Sequence, residues 1–233
     1  MQLPFRKADC RSLFRYFANR MAVPATKLIS KFGLLLIAIY LFFCYFMVEI
    51  VAQYIPVGAD TAFLGIKQEY IDIPFYLPVF YIHVFTAILA LPSGFTQFSR
   101  YILKRWPTVH RLNGRVYIIS ILLLGAPSGF IIGLYANGGL PSRISFCLLG
   151  VLWMYFTWQA YAEARKRNIQ RHKAFMYRSF ALTLSAITLR AWKYVLIAIF
   201  HPRPMDVYQL IAWLGWVPNL LIAEYLLTQK RPK

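Results

Sequence analysis

The sequence predicts an all-α polytopic membrane protein of six transmembrane helices, both termini cytoplasmic, with spans two to five forming the helical-bundle core. Three observations carry that expectation. The 233-residue chain is 59% hydrophobic and only 15% charged, whereas a soluble domain carries about 25% charged residues. Its long apolar runs lack the period-two alternation of a membrane barrel, so helices are the way to satisfy the backbone in lipid. Its basic residues gather in alternate loops.

A helix needs about twenty apolar residues to cross the hydrocarbon core. Six stretches qualify, at 33–53, 75–97, 116–136, 144–162, 176–200 and 208–227. Residues 1–31 form a basic segment, and 32–233 read as a single six-helix domain. No small-residue cleavage site follows the first span, which makes it a retained anchor. Ahead of it, "FRKADCRSLFRYFANR" has the pattern of a basic amphipathic helix lying on the membrane. Its Arg-rich, acid-poor character is also that of a mitochondrial presequence.

Residues 1–31 hold seven Lys/Arg, 98–115 five, 163–178 six and the tail from 228 three. The opposite loops hold only Lys67, Arg143 and Arg203. This alternation predicts the count of spans and puts the basic loops in the cytoplasm, as in a bacterial inner-membrane protein. It also accounts for the net charge of +18 without nucleic acid. The expected partners are the bilayer and its anionic headgroups, each basic residue contributing about 1 kcal/mol near such a surface.

Pro78 and Pro92 in the second span and "GAPSGF" at 125–130 in the third predict helix breaks, as packing kinks or as bends around a cavity. Cys10, Cys44 and Cys147 show no pairing or metal spacing. No phosphate loop, metalloprotease helix or nucleophile elbow assigns an enzyme class.

A weak repeat at an offset of 62 aligns His110 with His172, Gln97 with Gln159 and Arg111 with Lys173. Two histidines at one depth on different helices suit the axial positions of a b-type haem, with Arg111, Arg115 and Arg178 neutralising its propionates. The alternative is an interfacial His–Arg cap meeting lipid phosphates. His110 precedes its apolar run by about six residues and His172 by a few, which counts against a buried haem. Glu224 and Asn219 offer to complete an inner polar network. At the outer level, Glu49, His83 and Arg190 form a second candidate cluster, with Glu49 and Arg190 as a natural ion pair. Lys193 would snorkel outward.

With "PSGFTQF", "HRLNGRVY" and "RHKAFMYRSFALT" in view beside His83 and Arg190, the chain resembles a family of multi-pass membrane proteins catalogued as domain of unknown function 2306. The resemblance spans about residues 75–200. It implies His83, Gln97, His110, Arg111, Gly114, Arg115, His172, Arg178 and Arg190 as the family-type polar and glycine set. Lys173 stands where an arginine is more usual, and the family implies no activity. Three functions therefore stand open: a haem- or quinone-linked redox protein, a small transporter or ligand-binding protein with an outward polar cavity, and an assembly or lipid-associated factor.

Overall fold

A computed structural model describes residues 31–201 and 207–229, all of its regular structure helical among these. The basic amphipathic stretch and Cys10 lie outside the described residues. The chain divides into two compact units after Phe42. The helix Lys31–Ala52 crosses that division, and its part before Phe43 exposes Leu34, Leu35 and Leu36.

Among the described residues six helices are long and apolar enough to span a membrane: Gly33–Ala52, Tyr76–Gln97, Pro107–Leu134, Gly139–Arg165, Ile169–Phe200 and Tyr208–Gln229. The third and fifth begin well before their apolar runs. Pro107 starts the third span, its fixed φ and missing N–H suiting a first helical turn. Asn168 caps the fifth, its side chain accepting from Arg171 N at 3.3 Å. Hydropathy marks where side chains become apolar, whereas caps mark where the helix begins. Both histidines consequently lie within their helices.

The second span breaks at Ile88–Leu89 and resumes at Ala90. Beside this break lies a small apolar groove between Cys44, Tyr45 and Val48 of one helix and Ile88, Leu91 and Pro92 of the other. In the third span a π-helical turn, Ser120–Gly125, precedes Pro127. Such a turn accommodates a residue that cannot donate to the ladder, and leaves carbonyls in need of side-chain donors. Beside this turn Gly125 O takes side-chain contacts: His83 Nδ1 lies 2.8 Å from it and Ser128 Oγ 3.2 Å, while Ser128 Oγ also donates to Leu124 O. A Cβ on Gly129 would come within 2.8 Å of His83 Cε1, so the glycine makes room for the ring.

The core of the bundle is tied by a buried hydroxyl network. Tyr117, with no exposed surface, bonds Ser179 Oγ at 2.7 Å and Thr183 Oγ1 at 2.9 Å. From the fourth span, Trp153 Nε1 donates to Thr183 Oγ1 at 3.0 Å, and Thr157 Oγ1 meets Ser179 Oγ at 2.7 Å. Spans three, four and five are thereby fixed in register. The sixth is held separately. Trp216 Nε1 donates to Ser145 Oγ, which donates to Ala212 O, both at 2.9 Å. Asn219 Nδ2 donates to Thr188 Oγ1 at 2.9 Å.

Gly94 lets this network form: a Cβ there would stand 2.6 Å from Tyr117 Cε2 and 2.8 Å from Phe180 Cδ2. Tyr117 is fully buried and Phe180 partly so, which leaves the tyrosine ring little room to yield. Gly94→Ala should therefore lower stability by about 1–3 kcal/mol, the usual cost of overpacking. The unfolding midpoint of the purified variant in detergent checks this. An unchanged midpoint would mean the rings are free to move.

Candidate functional site

The parallel third and fifth spans build a site at the end of the bundle that carries the basic loops. His110 stands seven residues before Tyr117, and His172 seven before Ser179. Seven residues make nearly two turns, so each histidine lies about 10 Å beyond the hydroxyl contact and on the same face. The contact between Tyr117 and Ser179 thus brings both imidazoles to one level, where they are close enough to interact electrostatically.

The two rings are held differently. His172 Nδ1 is 2.8 Å from Ala160 O on the fourth span. A carbonyl only accepts, so Nδ1 carries a proton, and Nε2 is the atom left over for another partner. His110 Nδ1 is buried and has no hydrogen-bond partner among the described residues. Around it, Gln97 Nε2 donates to His110 O at 3.2 Å, and Asn113 Nδ2 donates to Thr96 Oγ1 at 3.0 Å. Gly114 admits the Gln97 amide, whose Oε1 would lie 3.1 Å from a Cβ at that position. Glu163 is buried on the fourth span one turn beyond Ala160, paired with Lys166 at 3.5 Å.

The expected arginines do not join the histidines. Arg111 and Arg115 are exposed, turned away from the face that carries His110, Asn113 and Tyr117. Helical spacing dictates this, since adjacent residues diverge by about 100° around the axis. Arg178 is committed elsewhere. Its Nε donates to Glu224 Oε1 and its Nη2 to Oε2 at 2.7 Å, a bidentate clamp joining the fifth and sixth spans. Its guanidinium also lies 5.4 Å from the Phe175 ring centroid.

At the opposite end the expected cluster forms only in part. Arg190 is half-buried, its Nη1 donating to Ala186 O of its own helix at 2.6 Å. His83, Tyr54 and Tyr208 come within electrostatic reach of it. Glu49 is not part of this group. It is exposed and bonds Tyr45 one turn back on its own helix, so among the described residues the Glu49–Arg190 ion pair is absent. Lys193 is exposed, and so is His201.

Lys67, by sequence an ordinary loop charge, is 2% exposed. Its Nζ donates to Tyr135 O and Asn137 Oδ1 and lies 4.8 Å from the Tyr70 ring centroid. The loop between spans one and two is so fastened to the loop between spans three and four. Tyr81 adds a second fastening: its hydroxyl donates to Gly58 O at 2.8 Å and accepts from Gly58 N at 3.0 Å. A lone lysine in a loop gives no sequence signal of burial; the nearby run of aromatics is the one hint.

Residues 80–227 match the family described as "Predicted membrane protein (DUF2306)". The chain belongs to that family. The match reaches beyond the stretch that carried the sequence resemblance and takes in the whole sixth helix to within two residues of its end. No curated protein and no solved structure matches. This is a multi-pass helical membrane protein of a family without an assigned activity. Among the described residues no three metal-ligating side chains of the His, Cys, Asp and Glu type cluster.

Burial brings the Lys67 ammonium down from its ordinary 10.5 to about 8, Glu69 opposing the shift and Arg143 adding to it. Between those values the unfolded chain keeps the proton that the folded chain releases. Native stability from this site should then rise as pH increases from about 8 to 10.5, and stay flat below 8. Unfolding midpoints across that range, compared with Lys67→Met, check the sign. The difference between the two proteins should change in favour of wild type as pH rises; a constant difference would contradict it.

Proposed function

We propose that the protein is a membrane redox carrier holding a b-type haem through His110 and His172, in a bacterial inner membrane with its basic loops in the cytoplasm. The observation that carries this reading is the pairing of a buried His110 Nδ1, without a partner among the described residues, with a His172 ring at the same level. Burying a ring nitrogen without a partner is unfavourable, and a ligand is one way to satisfy it. Metal-ligating imidazoles characteristically donate their other N–H to a carbonyl, as His172 does to Ala160 O.

Bound there, haem would supply one-electron chemistry. The chain's own contribution is orientation and exclusion of water. Ala160 O fixes the His172 tautomer, and the Tyr117–Ser179–Thr157 layer closes the site toward the membrane interior. Arg178 lends nothing to propionates while it is clamped to Glu224. Arg111 and Arg115 face away from the rings.

The test is an absorbance spectrum of protein purified after expression with ample haem supply. A Soret band is expected in wild type and in His201→Ala, and its loss in His110→Ala and in His172→Ala. Wild-type protein, folded by circular dichroism yet without the band, would remove the reading.

A further inference from the structure

The two arginines that turn away from the histidines point to a second ligand. We propose that Arg111 and Arg115 form the headgroup clamp of a specific anionic-phospholipid site on the outward face of the third span. The site stands independently of any haem.

The two guanidinium groups are one turn apart, so they project from the same side of the helix as near neighbours. Both are exposed, and neither pairs with a carboxylate among the described residues. Among the described residues the carboxylates at this end, Glu163 and Glu224, are taken by Lys166 and Arg178. On the adjoining edge of the helix, beside the arginines, runs an apolar stripe: Leu112 at 57% exposure, Val116 at 38% and Ile119 at 50%. These three recur at spacings of four and three, so they line one edge of the helix for about 10 Å. An arginine pair at the mouth of such a stripe matches a ligand with an anionic phosphate at one end and hydrocarbon at the other. The guanidinium's fixed fork suits phosphate oxygens, which accept two N–H donors from one side chain.

The preceding short helix, Arg100–Arg105, marks the headgroup level. Ser99 caps it by accepting from Ile102 N at 3.2 Å. Lys104 and Arg105 are exposed beside Tyr101 and Trp106, whose rings meet edge to face at 5.5 Å. Exposed aromatics interleaved with cations are the composition of a segment lying at the membrane–water interface. Arg115 is two turns beyond Pro107, so its long side chain reaches back toward that level along the Leu112 edge.

The experiment uses full-length protein in a neutral detergent and follows its unfolding midpoint. The additions are phosphatidylglycerol, phosphatidylcholine, and inorganic phosphate at matched concentration. Phosphatidylglycerol should raise the midpoint and the two others should not. In the double variant Arg111→Gln/Arg115→Gln that shift should fall to less than half, while Lys193→Gln keeps it. Equal shifts from the two lipids, or a full shift in the double variant, would overturn the proposal. An equal response to inorganic phosphate would assign the arginines to a free anion and overturn it too. Should the double variant fail to fold, native mass spectrometry of wild type decides: preferential retention of phosphatidylglycerol is expected, and no preference overturns the site.

Discussion

The hydroxyl of Tyr117 reaches from the third span to Ser179 and Thr183 on the fifth, in a place with no exposed surface. A phenol buried in lipid without partners would cost several kcal/mol, so the helices are constrained to the registers that satisfy it. Trp153 and Thr157 bring the fourth span to the same knot. A slide of one turn along either helix would move Ser179 about 5 Å out of reach. The level shared by His110 and His172 is therefore a consequence of this contact. So is the outward aim of Arg111 and Arg115, since the face that meets the fifth span leaves them the other side.

Much of this was legible in the residues, though unevenly. Apolar run lengths and charge alternation point to six spans because lipid imposes them directly on composition. The offset of 62 that pairs His110 with His172 also pairs Tyr117 with Ser179. Those two do not look alike, and a donor–acceptor match between unlike side chains leaves no trace as a repeat. Helix starts were displaced by several residues for a similar reason: Pro107 and Asn168 act through backbone geometry, to which hydropathy is blind. Both histidines therefore lie within their helices, while still preceding the apolar runs.

The opposite end was read less well. Opposite charges at similar depth suggested that Glu49 and Arg190 should meet, but depth leaves the angle around each helix undetermined. Glu49 turns to Tyr45, while Arg190 finds phenols and the His83 imidazole nearby. Lys67 was missed because its partners, Tyr135 O and Asn137 Oδ1, are about 70 residues away and one is a backbone atom. "GAPSGF" did announce its break. What the letters could not show is that His83 bonds Gly125 O beside the π-helical turn, with Gly129 making room for its ring.

The account depends on the Tyr117–Ser179 contact being energetically real, and a double-mutant cycle on Tyr117→Phe and Ser179→Ala measures that directly. Unfolding free energies of the two single variants and the double variant, taken in one detergent, give the coupling. Interhelical hydrogen bonds in membranes average about 0.6 kcal/mol and reach about 1.7. A coupling of at least that average is expected here, because both groups are fully buried. Strict additivity of the two substitutions would contradict the register and, with it, the shared level of the two histidines.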